Sequence, residues 1–234
     1  MSGHRYGELK HVPISPAMHE YLARCVSPKD PVLESLITST YQVCGDWAVM
    51  AIPVEQAALL TMLTRLLGAR TVVDIGTFTG VSALAFANGL APGGTVMTCD
   101  VTDEWVTKIG REHWKRAGVA DRIEFRLGPA ADTLAALPAG TVIDLAFLDA
   151  DKENCEIYLD LIMRSLRPGG LVIVDNILDR GYVLDPDLPA DERWRDRAAL
   201  VHAFNRVLTA DGRLETVALP ISDGLVIARK KCES

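Results

Sequence analysis

Cysteine is sparse in this chain and its spacing is unhelpful to any cross-linked design. The five residues, Cys25, Cys44, Cys99, Cys155 and Cys232, are odd in number and never form a C-x-x-C pair. That pattern excludes a zinc ribbon and gives no disulfide framework; it fits reduced thiols, and a cytoplasmic location is expected. Positive charge is also short, with 24 Lys and Arg against 31 Asp and Glu for a net charge of -7. No basic face is available to hold a phosphodiester backbone, so no nucleic-acid partner is expected. Uncharged apolar runs of about 18 residues are missing. The best candidate, residues 57–73, is interrupted by Arg65 and Arg70, so no membrane partner is expected. The N-terminal stretch MSGHRYGELKHVP is polar, and a signal peptide is not expected. His4, His11, His19, His113 and His202 follow no ligand spacing and read as surface or capping residues.

What is present is a strand–helix alternation. At 234 residues, with 49% hydrophobic and 24% charged residues, the chain suits a single domain over residues 1–234. Strand-like runs fall at 71–75, 95–100, 122–127, 144–149 and 171–176, with helix-length segments between them. Several are apolar on both faces, as parallel strands covered by helices must be. Two further runs, 213–220 and 224–230, are joined by too short a turn for a crossover helix and must pair antiparallel. The expected fold is a Rossmann-like, doubly wound α/β sheet of seven strands, mostly parallel, ending in an antiparallel hairpin. Residues 1–70 read as a helical N-terminal extension punctuated by Pro13, Pro16, Pro28, Pro31 and Pro53, with 54–67 helical and packed on the sheet. The earlier part of that extension is placed to cover the active site or to mediate dimerisation.

The first strand runs into Asp74-Ile-Gly76-Thr77-Phe-Thr-Gly80-Val-Ser82. Glycines at a strand-to-helix turn let backbone approach a ligand and leave helix N-terminal N–H groups free. The spacing is G-x-x-x-G, so the dinucleotide fingerprint G-x-G-x-x-G is not met. Asp100 ends the second strand, where an acid can accept both hydroxyls of a ribose. Asp74 in the same crevice would repel a pyrophosphate but suits a ligand with a ribose, an amino group and a sulfonium. This charge pattern selects S-adenosylmethionine over NAD. The plain alternative is that both acids merely cap helices.

Asp149 follows the fourth strand, and Asp175-Asn176 ends the fifth. If those strands are neighbours about 5 Å apart, Asp149, Asp175 and Asn176 offer three hard oxygens to one point. With no His or Cys among them, such a set favours Mg²⁺, Mn²⁺ or Ca²⁺ over zinc. Asp149 or Asp151 as a helix N-cap is the bland alternative.

These motifs together resemble the cation-dependent O-methyltransferases, the family of caffeoyl-coenzyme A and catechol O-methyltransferases and their bacterial relatives. The resemblance rests on DIGTFTGVS (74–82), RAGVADRIEF (116–125), GPA (128–130), FLDADKEN (147–154), RPGGLVIVDN (167–176) and SDGLVIARK (222–230). It implies a methyl transfer from S-adenosylmethionine to one hydroxyl of a small, catechol-like phenolic acceptor, and commonly a homodimer. By position, Met50 and Ile52 match residues that close over the methionine end of the cofactor. Asp74, Gly76, Thr77 and Ser82 match the loop holding its amino and carboxylate groups. Asp100 matches the ribose acid, Ala130 an adenine-side backbone contact, and Asp151 a further cofactor contact. Asp149, Asp175 and Asn176 match the metal ligands, and Lys152 matches the general base. The plain reading of Lys152 is a surface lysine paired with Asp151 or Glu156.

Two positions depart from plant members of the family, which carry Trp where this chain has Asp179 and commonly Tyr where it has Cys155. Both lie near the acceptor in relatives, so a plant-type caffeoyl thioester is not the expected acceptor. Asp179, Tyr182 and Trp47 are the candidate acceptor-pocket residues, with Trp194 a further possible wall. A metal-independent methyltransferase and a non-catalytic cofactor-binding protein on the same fold are the competing readings.

Overall fold

The structure, a computed structural model, describes residues 14–185 and 191–232; His4, His11 and Pro13 lie outside them. From residue 14 on, the lead-in is a series of short helices separated near its prolines. Helix α1 (Pro16–Arg24) starts behind Ser15, whose hydroxyl accepts from the Met18 N–H. Helix α2 (Pro31–Val43) is capped by Asp30, which accepts from the N–H groups of Val32 and Leu33. In both, proline occupies the first turn, where its missing N–H costs no hydrogen bond. A 3-10 turn (Gly45–Met50) leads through an extended Ala51 to α3 (Val54–Leu67), which stops at Gly68 in the left-handed conformation. The segment 45–67 has the mean hydropathy of a membrane span, 1.4, but is not one continuous helix.

The sheet then forms from β1 (Thr71–Ile75), β2 (Thr95–Asp100), β3 (Ile123–Leu127), β4 (Ile143–Leu148), β5 (Leu166–Asp175), β6 (Leu214–Leu219) and β7 (Leu225–Lys230). Their order is β3-β2-β1-β4-β5-β7-β6, with β7 antiparallel to both its neighbours and the other pairings parallel. The seven expected strands are all present. Only β5 differs by more than a residue, beginning at Leu166: Leu166 pairs with Ile143 and Leu171 with Leu145, and residues 167–170 bulge out between them opposite Asp144, with Gly169 left-handed at φ 75°. The intervening helices are α4 (Val81–Gly89), α5 (Arg111–Arg116), α6 (Ala130–Ala135), α7 (Cys155–Ser165) and α8 (Glu192–Ala210). A five-residue π-helical turn, Val106–Gly110, runs into α5.

The pleat distributes the core. Val72, Val96, Leu145, Phe147, Leu171 and Ile173 face one side, where α2, α3, α4 and α5 supply Leu36, Leu60, Phe86 and Trp114. Their alternates Val73, Ala146, Leu148, Val172 and Val174 face the other, against Leu134, Ile162 and Phe204 from α6, α7 and α8. Each buried Leu, Ile or Phe contributes about 1.5–3 kcal/mol. Both faces of the central strands are therefore apolar, as the continuous hydrophobic runs required. Strand order reverses between β1 and β4, and a crevice opens there beyond the carboxyl ends of the strands.

At the opposite end of the sheet Asp144 ties three segments together. Its carboxylate accepts from the N–H groups of Arg70 and Thr71 at 2.7 and 2.9 Å and from Arg167 Nε at 2.6 Å. Burial alone would raise its pKa, but these donors hold it below the ordinary value. Asp144→Ala is expected to lower stability by about 2–4 kcal/mol in urea unfolding at pH 7, since charged hydrogen bonds are lost and N–H groups orphaned. Because the folded pKa is depressed, that cost should shrink as pH falls through the acidic carboxylate range.

Candidate active site

Register sets the geometry of the crevice. Asp74 on β1 lies level with Thr98 on β2 and Phe147 on β4, and Phe147 is level with Ile173 on β5. Two residues further along each chain come Asp100, Gly76, Asp149 and Asp175. A period of two returns each of these positions to the same side of the pleat. One sheet edge thus carries a row of three carboxylates, with a fourth, Asp74, sunk one step deeper. In the gap of that row stands Gly76, at φ 101° and so close to the neighbouring chain that a Cβ would collide with the Asp149 carbonyl. No other residue fits there.

Asp74 is fully buried. Its Oδ2 accepts from Thr98 Oγ1 at 2.8 Å and Ser82 Oγ at 3.0 Å, while Oδ1 has no partner. Burial raises its pKa to about 7, opposed by the Thr98 and Ser82 hydrogen bonds and assisted by the charge of Asp100. A buried acceptor left open is costly to the free protein and suits a cationic ligand group. Thr77 Oγ1 lies 2.6 Å from Thr98 Oγ1, extending the chain of hydroxyls to the glycine loop.

Asp100 has a structural task of its own. Its Oδ2 accepts from the N–H groups of Thr77 and Phe78 at 3.1 and 2.8 Å, pinning the loop to the end of β2. From behind, the loop is fixed by Thr40 of α2, which donates to Thr79 Oγ1 at 2.9 Å, and by Gly110, where a side chain would strike the Thr79 carbonyl. Neither contact was legible as a motif.

The other half of the row is Asp149 and Asp175. Burial raises the pKa of Asp149 well above the carboxylate norm, and the Asp175 charge adds to this while Lys152 counteracts it. Asp175 is raised by burial too, restrained by hydrogen bonds from Gln56 Nε2 at 2.8 Å and the Asn176 N–H at 2.7 Å. Asn176 adopts a left-handed backbone, φ 61°. Among the described residues no group of three or more His, Cys, Asp and Glu is gathered as a metal cage. The candidate set is two carboxylates and an amide.

Lys152 is buried, at 8% exposure, with no ion pair within 4 Å among the described contacts, so the reading of a surface lysine paired with Asp151 or Glu156 is corrected. It lines a cavity of about 10 Å³, room for roughly one water, together with Cys155, Asp175, Asn176, Phe204 and Asn205. Burial pushes the Cys155 thiol up to about 11, making it a packing residue rather than a nucleophile.

The remaining expected residues are scattered. Met50 is exposed at the end of its 3-10 turn, whereas Ile52 is buried in the core beneath it. Ala130 opens α6 with its side chain in the core of the opposite face. Asp151 is held by Tyr158 Oη at 2.6 Å and Asn154 Nδ2 at 2.5 Å, which fixes it to the start of α7. Trp47 is exposed and Tyr182 half-buried. Asp179, a candidate acceptor-pocket residue, is 1% exposed; its Oδ1 pairs with Arg197 of α8 at 2.7 Å, and its Oδ2 is buried without a hydrogen-bond partner among the described residues. His113, read as a surface or capping residue, is buried between Ser35 and the Ile109 carbonyl. Trp194 lies beneath Arg180, 4.5 Å from its ring centre, and Arg197, 5.9 Å away.

A doubly wound sheet with a carboxylate-lined crevice at its switch point belongs to the α/β class that binds ligands beyond the carboxyl ends of its strands. Comparison with known proteins narrows the class. A family model described as O-methyltransferase matches residues 24–231. Catechol O-methyltransferase domain-containing protein 1 of Mus musculus is 41% identical over 90% of this chain and 79% of its own length. Caffeoyl-CoA O-methyltransferase 2 of Zea mays is 35% identical over 97% of this chain and 88% of its own. The solved O-methyltransferase of Bacillus cereus, in complex with SAH, superposes with a TM-score of 0.79 at 30% identity, covering 92% of this chain and 97% of that one. The chain belongs to this family, the S-adenosylmethionine-dependent O-methyltransferases.

Asp74 gives a measurable signature. Its folded pKa of about 7 lies above the unfolded 3.8, so its contribution to stability is full below the unfolded value and lost as pH rises through 7. Between pH 4 and pH 8 the ligand-free protein should lose up to about 4 kcal/mol through this group. Asp74→Asn should abolish that component and be the more stable protein at pH 8, as read from denaturant midpoints across pH.

Proposed function

We propose that the chain methylates one hydroxyl of a small phenolic acceptor bearing two adjacent hydroxyls, with a divalent cation held by Asp149, Asp175 and Asn176. The observation that carries this reading is the pairing of Asp149 and Asp175 at the ends of adjacent strands, each with a raised pKa, beside no guanidinium within ion-pair distance among the described contacts. Hard oxygens of this kind suit Mg²⁺, Mn²⁺ or Ca²⁺. A cation there would stabilise the ionised form of a phenol, whose pKa is otherwise about 10, and orient its two oxygens.

S-adenosylmethionine supplies a methyl group already made electrophilic by its sulfonium. The fit is supported by the open Oδ1 of Asp74, an acceptor for the amino group, and by Asp100, at the β2 end where ribose hydroxyls can be accepted. The glycine loop, fixed by Asp100 and Thr40, holds these groups in place before binding, so orientation contributes much of the rate. Lys152, in its neutral amine form, would accept the phenolic proton at Nζ from a buried position in the cavity it shares with Asp175. Trp47 and Met50 stand exposed on the turn that precedes α3, Trp47 available as an apolar wall for the acceptor and Met50 to close over the methionine end of the cofactor. A second copy of the chain as partner belongs to this reading as an expectation of the family.

A metal-independent transfer is favoured by one observation, that Lys152 itself supplies positive charge to Asp149 and Asp175. EDTA separates the two. Turnover of a vicinal-diol phenol should vanish on chelation and return with Mg²⁺, whereas unchanged turnover would leave Lys152 as the counter-charge. Asp175→Ala should abolish turnover at every Mg²⁺ concentration. Lys152→Ala should lower kcat by about 10²–10⁴-fold with cofactor affinity within a few-fold, because only the proton transfer is lost; equal kcat across pH would remove Lys152 as base.

A further inference from the structure

Helix α3 belongs to the lead-in, on the near side of the sheet, yet it sends one polar side chain into the crevice. Gln56 is fully buried, on a helix face otherwise made of Ala57, Leu60 and Thr64. Its Nε2 donates to Asp175 Oδ2 at 2.8 Å, across 119 residues of sequence. Its Oε1 is buried without a hydrogen-bond partner among the described residues. The two amide atoms could be exchanged only by setting an oxygen against a carboxylate, so the assignment of donor and acceptor follows from the contact itself.

Burying an amide with one half unsatisfied costs free energy, and an apolar residue of the same length would avoid the cost. The arrangement is explained if the amide serves the carboxylate it touches. With Oδ1 bonded to the Asn176 N–H and Oδ2 to Gln56, the plane of the Asp175 carboxylate is fixed from both sides, and each oxygen retains a lone pair for a further contact. Because Nε2 and Oε1 share one carbon, the open acceptor lies within a few ångströms of that carboxylate. A hydrated cation carries water molecules that are strong donors, and a partner group hydrogen-bonded to a ligating carboxylate is the usual way its orientation and affinity are set.

We infer that Gln56 is a positioning residue for the divalent cation site, orienting Asp175 through Nε2 and offering Oε1 to a water of the hydrated ion. The inference rests on the cation reading above, and the experiment separates the two. Mn²⁺ binding is measured by calorimetry and by loss of the free-ion paramagnetic resonance signal, on the full chain without acceptor. Gln56→Met keeps the length and removes both polar atoms; Gln56→Asn keeps an amide but withdraws it by one methylene. Both should weaken Mn²⁺ binding about 10–100-fold, the range typical of such supporting groups, with S-adenosylmethionine affinity and Tm close to those of the parent. A purely structural glutamine would show the reverse, a changed Tm with Mn²⁺ affinity within twofold in whichever variant folds, and that result overturns the assignment. If the parent protein binds no Mn²⁺ while Asp175→Ala behaves identically, the cation reading itself fails and the role of Gln56 falls with it.

Discussion

Carboxylates of like charge repel, and this sheet gathers four of them at one end. Asp74, Asp100, Asp149 and Asp175 sit on four adjacent strands, on the same side of the pleat, in two rows that the register fixes. In water the repulsion would be slight; for acids as buried as Asp74 and Asp175 it is not. Each acid is met differently. Asp100 is satisfied by backbone N–H groups of the glycine loop, Asp175 by an amide and a neighbouring N–H, and Asp74 by two hydroxyls with one oxygen left over. Asp149 is left with charge neighbours. The free protein is therefore poised for positive charge, and ligands that bring it relieve a tension built into the fold.

The sheet was legible in the sequence because its signals are local and redundant. β-branched runs of five or six residues, glycine at the strand-to-helix turn and a final pair of runs too close for a crossover admit few arrangements. The acids were legible for the same reason: a residue ending a parallel strand has only one place to go. The other strand boundaries shifted by at most a residue, and β5 gained five because the chain pairs with β4 again at Leu166, on the far side of a bulge formed by residues 167–170.

What the sequence hid are contacts between distant segments. Gln56 to Asp175, Thr40 to Thr79 and Arg197 to Asp179 each join residues that no local pattern relates. Gln56 alone left a trace, as a polar residue at a helical position that should have been apolar. The motif gave no sign that Asp179 meets α8, where its carboxylate pairs with Arg197 from a backbone left-handed at Asp179 and Arg180. Side-chain direction in an irregular turn depends on φ values that composition does not encode.

The union of α3 with α4 bears on what counts as the smallest foldable piece of this enzyme. Thr61 donates to the Ala85 carbonyl, and Gly89 lies so near Thr61 and Thr64 that a methyl group would not fit between the helices. A fragment cut to begin at Thr71, where the recognisable nucleotide-binding pattern starts, would keep every strand and still strip the cover from Leu84, Phe86 and their neighbours. The lead-in is a wall of the hydrophobic interior, inseparable from the half of the chain that carries the chemistry.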